Sequence, residues 1–393
     1  MKRFFLFSIS LLLCLSSYAQ QEIGNRGGQV QVDSPVIDAN NRVTFNLLAP
    51  NAQSVSLTGD VMRGLGVEGR TVDMLKGENG VWSYTSNPMP SDLYTYSFMV
   101  DGLRTIDPNN VFVNRDVATV TNKFIVGKGL GDLYKVNRVP HGTVRRTWYP
   151  APSNGEPSVR RITIYTPPGY ETSGQSYPVL YLLHGIGGDE EAWITQGCTA
   201  QILDNLIAQG RAVPMIVVMT NGNAAQEAAP GESSLGLERP SMGLARTMEG
   251  SFEVSFPDII KFVDNSFRTK NDKANRAISG LSMGGFHTMH ISRLYPNTFD
   301  YVGLFSAALG VGRGGDNPLY ANIPATLQTQ NRNGLKLYWI AMGKTDGLYQ
   351  STIDFCKQLD DIGMKYTYRE SEGGHTWTNW RMYLTEFVPL LFK

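Results

Sequence analysis

The chain has 393 residues with 35 basic and 35 acidic side chains, so it is long enough for two domains and carries no net charge. Because the sequence contains no basic tract, we expect no nucleic-acid partner. It contains neither an HExxH motif nor a cluster of cysteine and histidine, so we predict no metal site and no cofactor.

The first residues have the composition of a secretory signal peptide. Two basic residues precede the apolar stretch 4–15, and a small-x-small cleavage site follows at 17–19. The apolar stretch is too short to span a membrane, and Leu13 stands where a lipoprotein anchored at Cys14 would have a small residue. We predict a signal peptide at residues 1–19 and an exported protein, periplasmic or extracellular, without a membrane span.

The part of the chain that follows alternates apolar and polar side chains with a period of two. Val43, Phe45 and Leu47 face one way, and the alternation recurs in "VWSYT" and "YTYSFMV", between turn signals such as "GENG" and "DPNN". Short alternating runs separated by turns are typical of an antiparallel β-sandwich. We predict an all-β sandwich at 20–125, followed by a linker at 126–145.

From about residue 160 onward, apolar strands alternate with helical stretches. The strands "PVLYLLHG", "PMIVVMTNG", "YVGLFSA" and "LKLYWIAMG" alternate with helices such as "TAQILDNLIAQG" and "STIDFCKQLDDIG". This alternation predicts an α/β fold in which helices cover both faces of a mostly parallel sheet. We assign the α/β domain to residues 146–393.

The motif "GLSMGG" places Ser282 between a buried strand and a helix. Gly280 and Gly284 flank the serine, two residues away on each side. In a nucleophile elbow the chain turns so sharply that larger residues at these positions collide with the neighbouring strand and helix. The motif in this context predicts that Ser282 is a catalytic nucleophile.

A serine nucleophile requires a base, and the base requires an acid that orients it. In this type of sheet the chain order is serine, acid, histidine, and His375 in "ESEGGHTW" follows the serine beyond its own helix. Asp346 in "AMGKTDG" directly follows the most apolar strand of the interval, and we favour it as the acid over Asp316 in the preceding loop. The remaining histidines precede the serine or lie on its helix: His141, His184, His287 and His290.

The tetrahedral intermediate of acyl transfer also requires hydrogen-bond donors. "LLHGIGG" is a glycine-rich turn after a strand, and its backbone N–H groups are candidates for one donor. A phosphate-binding loop is the alternative, but the lysine of GxxxxGK[ST] is absent. The N–H group of Met283, at the N-terminus of a helix, is the second candidate.

Five ordered motifs resemble carbohydrate esterase family one, which contains exported feruloyl and acetylxylan esterases: "LLHGIGGDEEAW", "PMIVVMTNGN", "GLSMGG", "GKTDG" and "EGGHTWTNWRMYL". The resemblance extends over residues 140–393 and implies an α/β-hydrolase fold. It implies these roles: nucleophile Ser282, acid Asp346, base His375, and oxyanion donors Ile186 and Met283.

The N-terminal stretches "RVTFNLLAPNAQSVSLTGD" and "YTYSFMVDGLRTIDPN" resemble the immunoglobulin-like module of glycogen-branching and isoamylase-type enzymes. Whether this module contacts substrate is left open. Since every catalytic candidate lies beyond residue 180, we expect the chemistry on a small ester to be independent of it.

The resemblance says less about the substrate pocket than about the catalytic residues. Segment 224–250 follows no family pattern, and an insertion at this place in the fold is expected to rim the pocket. Trp193 and Trp377 are expected to line a site for a sugar or an aromatic ring, with a place in the core as the alternative. The resemblance assigns Cys198 and Cys356 to helices on opposite faces of the sheet, so we expect no disulfide.

We therefore predict a secreted serine esterase that removes hydroxycinnamoyl groups such as ferulate from plant cell-wall xylan through a Ser-His-Asp triad and an acyl-enzyme. The expected partners are feruloylated or acetylated xylan or its oligosaccharides, and the oligomeric state is left open. An acetylxylan esterase and a siderophore-trilactone esterase are the alternatives among enzymes. A carbohydrate-binding protein with an inactive hydrolase domain is a further alternative, against which the complete set of serine, histidine and aspartate argues.

Overall fold

The computed structural model describes residues 32–310 and 317–393. The predicted signal peptide at 1–19 and the alternative acid Asp316 lie outside the described residues. Within the described ranges, no helix is both long enough and apolar enough to cross a membrane.

Short strands and one short helix form the N-terminal part of the chain. They are β1 (Val36–Ile37), β2 (Val43–Leu48), β3 (Val55–Thr58), α1 (Val61–Leu65), β4 (Thr71–Asp73), β5 (Leu75–Lys76), β6 (Val81–Thr85), β7 (Leu93–Val100), β8 (Leu103–Thr105), β9 (Val113–Asp116) and β10 (Thr119–Ile125). One antiparallel sheet has the order β1-β2-β6-β5, and the second has the order β4-β3-β7-β10-β9, with β8 paired to β7.

The two N-terminal sheets share one apolar core. Along β2, Val43, Phe45 and Leu47 are buried, while the residues between them are partly exposed. Trp82 of the same sheet and Phe98 of the other sheet belong to the same cluster of buried side chains. The predicted all-β sandwich is therefore confirmed.

One eight-stranded sheet organises the rest of the chain. Its strands are β11 (Thr143–Pro150), β12 (Val159–Thr166), β13 (Val179–Leu183), β14 (Ile216–Thr220), β15 (Arg276–Leu281), β16 (Tyr301–Phe305), β17 (Leu337–Gly343) and β18 (Thr367–Ser371). The order is β11-β12-β14-β13-β15-β16-β17-β18. Pairing is parallel from β14 to β18, whereas β11 and β12, which the sequence analysis did not identify, pair antiparallel at one edge.

Helices cover both faces of this sheet. They are α2 (Ala192–Thr195), α3 (Thr199–Ala208), α4 (Ser251–Ser266), α5 (Met283–Leu294), α6 (Ile323–Arg332), α7 (Tyr349–Asp361) and α8 (Trp377–Phe387). Successive side chains of a strand point to opposite faces: Val179 and Tyr181 of β13 join a cluster with α4 to α7, and Leu180 and Leu182 join a cluster with α3 and α8. The predicted mostly parallel sheet with helices on both faces is therefore confirmed.

The two cysteines of the described ranges lie on opposite sides of the sheet. Cys356 on α7 belongs to the first cluster, and Cys198, directly before α3, belongs to the second. Both are buried and free.

The loops that follow the parallel strands meet at one edge of the sheet. Ser282 follows β15, Asp346 follows β17, and His375 follows β18. The turn that contains Ile186 follows β13. Since the carboxyl ends of neighbouring parallel strands lie side by side, the candidate residues converge there, as in other open α/β sheets.

Candidate active site

Ser282 occupies the turn between β15 and α5 with a strained backbone. Its φ of +52° and ψ of −116° lie outside the regions that a residue with a β-carbon usually adopts. Its N–H donates to the Phe305 carbonyl oxygen at 2.9 Å, and its own carbonyl oxygen accepts from the Ala308 N–H at 3.0 Å. The turn is thus tied on both sides, to the last residue of β16 and to the segment that follows it, and strain held in this way is characteristic of functional sites.

The two flanking glycines leave the space that this turn requires. A β-carbon on Gly280 would lie 2.4 Å from the carbonyl group of Gly284. A β-carbon on Gly284 would lie 2.5 Å from the carbonyl oxygens of Leu183 and His184. Since these neighbours are backbone atoms of the sheet and the turn, they cannot move aside, which explains the motif.

Hydrogen bonds connect Ser282, His375 and Asp346. Nε2 of His375 lies 3.0 Å from Oγ of Ser282, and Nδ1 lies 2.9 Å from Oδ2 of Asp346. Because a carboxylate can only accept, Nδ1 carries the proton and Nε2 accepts from the serine hydroxyl. This is the tautomer that a general base requires.

Asp346 is held in its ionised form. Its side chain is buried, and burial raises the pKa of the carboxyl group. The hydrogen bonds from His375 and from the Leu348 N–H outweigh burial and hold the pKa of Asp346 below its usual range. A buried carboxylate that remains charged can orient the imidazole and stabilise its protonated form.

The two histidines on α5 occupy different environments. His287 on α5 is buried and pairs with Glu253 at 2.7 Å. Burial and the neighbouring Arg293 lower the pKa of His290 to about 2, so this ring is neutral. These contacts leave His375 as the histidine that reaches Ser282.

Ile186 and Met283 line the same pocket as Ser282. Met283 is the first residue of α5, where N–H groups have no partner within the helix. Among the hydrogen bonds of the described ranges, the Ile186 N–H donates to no protein acceptor. Both N–H groups are therefore free to bind an oxyanion beside the serine.

The pocket beside Ser282 has a volume of about 680 Å³ and a largely apolar wall. Met242, Gly243 and Met248, all from the insertion 224–250, contribute to it, as does Leu348. The expected position of the insertion at the rim is thus the observed one.

The prediction that Trp193 lines the substrate pocket is wrong. Trp193 is only 1% exposed and belongs to the core cluster on the α3 and α8 face of the sheet. Its indole N–H donates to the Leu183 carbonyl oxygen at 2.9 Å. A ring that is enclosed on all sides and satisfied in this way stabilises the sheet and cannot stack on a ligand.

Trp377 lies next to a second cavity of about 590 Å³ rather than in the pocket of Ser282. The ring packs edge-on against Trp193 and Trp380, with 5.2 Å between centroids in each case. The base candidate His375 also lines this cavity, and so does Val117, which belongs to the N-terminal sandwich. Trp377 thus faces a cleft between the two parts of the chain.

Sequence reasoning missed the methionines of the pocket wall. Met248 packs with Met283, Phe286 and Ala308 in a small cluster beneath the serine. Because the segment around Met248 matches no pattern and forms no regular element, no local signal indicated which of its side chains turn inward. Among the described residues, no group of three or more His, Cys, Asp or Glu side chains is placed to hold a metal ion.

Two family models match the chain. Residues 153–391 match the family described as "Putative esterase". Residues 30–113 match carbohydrate-binding module 48, the isoamylase N-terminal domain. The second match confirms the predicted isoamylase-type module.

One similar protein covers both parts of the chain. An endo-1,4-beta-xylanase/feruloyl esterase of Xylanibacter ruminicola is 31% identical over 379 residues, which are 94% of this chain and 47% of that protein. The chain thus spans about half the length of that relative.

Solved structures of esterases share the fold. A CE1 ferulic acid esterase of Anaeromyces mucronatus has a TM-score of 0.52 at 20% identity and covers 66% of this chain and 93% of its own. The enterobactin esterase of Shigella flexneri has a TM-score of 0.60 at 15% identity and covers 88% of this chain and 92% of its own. These likenesses confirm the predicted α/β-hydrolase fold.

Proposed function

Since the chain belongs to the esterase family whose model matches residues 153–391, we propose that it is an exported serine esterase that hydrolyses feruloyl esters of xylan. The observation that carries the proposal is the hydrogen-bonded series from Ser282 through His375 to Asp346, at 3.0 and 2.9 Å. The signal-peptide pattern at 1–19 supports export.

In this reaction Ser282 attacks the ester carbonyl carbon. Nε2 of His375 removes the hydroxyl proton as the new C–O bond forms, and the imidazolium is stabilised by the Asp346 carboxylate. The same proton is then given to the leaving alcohol oxygen, which leaves an acyl-enzyme on Oγ. Water attacks the acyl-enzyme with His375 again as base, and the free acid departs.

The negative charge of each tetrahedral intermediate falls on the former carbonyl oxygen. The N–H groups of Ile186 and Met283 are the proposed donors to it. Donors that are already in place before the reaction stabilise the transition state without reorganisation, and the dipole at the start of α5 adds a favourable field.

The apolar pocket favours a bulky acyl group over acetate. A wall with Met242, Met248 and Leu348 and a volume of about 680 Å³ exceeds what an acetyl group can fill, whereas an aromatic acyl group buries a large apolar surface. The name of the relative from Xylanibacter ruminicola, which is similar over 94% of this chain, points to the same substrate class.

A hydrolysis panel tests the proposal. Wild type and Ser282→Ala are assayed on methyl ferulate, acetylated xylan, p-nitrophenyl acetate and a catecholate trilactone. We expect methyl ferulate to have a higher kcat/KM than acetylated xylan, and Ser282→Ala to be inactive on all four. Acetate release with ferulate release at background would favour the acetylxylan alternative, and preference for the trilactone would favour the siderophore alternative.

A pair of methionine variants tests the acyl pocket. Met248→Ala removes a side chain from the pocket wall, so we expect kcat/KM for methyl ferulate to fall about tenfold more than for p-nitrophenyl acetate. Met364→Ala removes an equally buried methionine, also 3% exposed, from the core of the sheet. It should change both rates alike, and equal losses for the two esters in Met248→Ala would place the acyl group elsewhere.

A further inference from the structure

A hairpin of the N-terminal sandwich reaches the loop that carries Ile186. The strands β9 and β10 are joined by the turn at 117–118, since Asp116 pairs with Thr119. The hairpin lies against residues 184–189, which we call the oxyanion loop. No sequence motif indicated this contact.

Arg115 of β9 forms an ion pair with Asp189 of the oxyanion loop. Its Nη2 lies 2.5 Å from Oδ2 of Asp189, whose side chain is only 3% exposed. The other carboxylate oxygen accepts the Glu191 N–H at 3.0 Å, and Arg115 also donates to the Val117 carbonyl oxygen at 3.2 Å. Because charged hydrogen bonds of this kind are short and directional, the pair links the turn of the hairpin to the end of the oxyanion loop.

Val117 adopts a backbone conformation that a β-branched residue rarely takes. Its φ is +51°, at a hairpin position where glycine would be free of strain. Its side chain lies over Gly187: a β-carbon built on that glycine would be 2.7 Å from Cγ2 of Val117. A strained valine therefore stands where its side chain covers the oxyanion loop, and strain retained in this way indicates a function.

The inner side of the oxyanion loop is held by the α/β part itself. Nδ1–H of His184 donates to the Gly185 carbonyl oxygen at 2.7 Å, and Nε2 accepts the Gly222 N–H at 2.8 Å. Burial lowers the pKa of His184 to about 4, so the ring keeps this acceptor at neutral pH. The side chain of Asn223 donates to the Gly188 carbonyl oxygen at 2.8 Å. On the outer side, Val117 of the hairpin and Met242 of the insertion 224–250 both lie over Gly187, with Val117 the nearer (2.7 against 3.0 Å from the β-carbon position), and the hairpin alone adds the ion pair to Asp189.

The docking of the two parts is specified by buried polar contacts. Arg381 on α8 is 2% exposed and donates to the carbonyl oxygens of Leu93 and Gln196, each at 3.0 Å. Its Nη1 and Nη2 groups thus have partners in both parts of the chain, and an arrangement that moved the parts apart would leave these two buried donors unpaired. The hairpin is therefore presented to the oxyanion loop in a defined position.

We propose that Arg115 and Val117 are positioning residues: the hairpin holds the oxyanion loop so that the Ile186 N–H points at the carbonyl oxygen of the ester. The inference rests on the proposed function, in which this N–H stabilises the tetrahedral intermediate. The N-terminal sandwich then contributes to the chemical step even on a small soluble ester, contrary to the expectation from sequence that this step is independent of it.

Full-length variants test this role with p-nitrophenyl acetate. Arg115→Gln and Val117→Gly should lower kcat about tenfold or more, because loss of one oxyanion donor costs about 10²–10³. KM should change less than twofold, since the donor acts in the transition state. Arg115→Lys should restore most of the rate, and Val117→Gly should not lower Tm, because glycine relieves the strained φ.

Two further measurements separate positioning from general stability. Lys123→Gln removes two other contacts of the hairpin, the 3.3 Å hydrogen bond to the Thr195 carbonyl oxygen across the same interface and the 3.0 Å hydrogen bond to Oδ1 of Asn114 within the hairpin, and should leave kcat unchanged. Inhibition by phenylboronic acid, which forms a tetrahedral adduct on a serine oxygen, should weaken in Arg115→Gln in proportion to kcat/KM.

The outcomes for the inference and for the proposed function are distinguishable. If Ser282→Ala is inactive while Arg115→Gln and Val117→Gly keep kcat within twofold of wild type, the positioning role is overturned and the esterase proposal stands. A loss in Lys123→Gln equal to that in Arg115→Gln would also overturn it. Activity retained by Ser282→Ala would instead contradict the proposed function itself.

Discussion

Replacing Asp346 by asparagine perturbs the hydrogen-bonded series with an almost isosteric change. Oδ1 of Asp346 accepts the Leu348 N–H at 2.9 Å, and Oδ2 lies 2.9 Å from Nδ1 of His375. An asparagine must keep its oxygen toward the Leu348 N–H, because an amide nitrogen there would set two donors against each other. Its amide nitrogen therefore faces Nδ1 of His375.

The consequence is the wrong tautomer of the base. Oδ1 is also 3.1 Å from Nδ1 of His375, but the nearer contact, at 2.9 Å, becomes an amide nitrogen. This favours Nδ1 as an acceptor with the ring proton on Nε2, which can then no longer take the proton of Ser282 across 3.0 Å. The same exchange in a serine protease lowers kcat about 10⁴-fold, which corresponds to about 5.5 kcal/mol of transition-state stabilisation. We expect a loss of this order for Asp346→Asn, with KM nearly unchanged, because the carboxylate is buried behind the histidine.

Initial rates on p-nitrophenyl acetate measure the effect, with two matched variants. Asp354→Asn changes an exposed aspartate on α7 and should retain full activity. Asp316→Asn changes the alternative acid and should have a much smaller effect than Asp346→Asn. A kcat within tenfold of wild type for Asp346→Asn, or a larger loss for Asp316→Asn, would refute the tautomer argument.

Three further predictions concern stability. Gly284→Ala places a β-carbon 2.5 Å from backbone oxygens and should lower the free energy of unfolding in urea by about 3 kcal/mol, whereas Gly174→Ala, with no atom within 4 Å, should change it little. Burial raises the pKa of Glu190 to about 7, so the folded state holds a proton that the unfolded state releases, and the free energy of unfolding falls as pH rises from about 4.5 to 7. Relative to wild type, the free energy of unfolding of Glu190→Gln should therefore rise by about 3 kcal/mol between pH 4 and pH 8. A difference between the two proteins that does not depend on pH would contradict this. Trp193→Phe should lower the free energy of unfolding by about 2 kcal/mol through the lost hydrogen bond to Leu183. It should leave KM for methyl ferulate unchanged, and a raised KM would indicate that Trp193 contacts the substrate.

Several features of this protein are determined locally and were therefore readable from the sequence. The period-two alternation along Val43, Phe45 and Leu47 follows from the pleat of a strand, whatever the strand pairs with. The glycines beside Ser282 are dictated by atoms close to the turn itself, and the direction of the parallel strands then places the loops with Asp346 and His375 at the same edge of the sheet. The three residues that lie within hydrogen-bonding distance were named for this reason.

Other features depend on groups that are distant in the sequence, and only the tertiary structure decided them. The sequence alone does not distinguish a tryptophan of a core from one of a binding site. The structure places Trp193 in the apolar cluster beside α3 and α8, where the Leu183 carbonyl oxygen accepts its indole N–H. The contact of Val117 with Gly187 joins the N-terminal sandwich to the α/β part, across residues that are 70 positions apart in the sequence. Such a contact follows from how two folded surfaces meet, and neither the periodicity of β9 nor the glycines of the oxyanion loop contains that information.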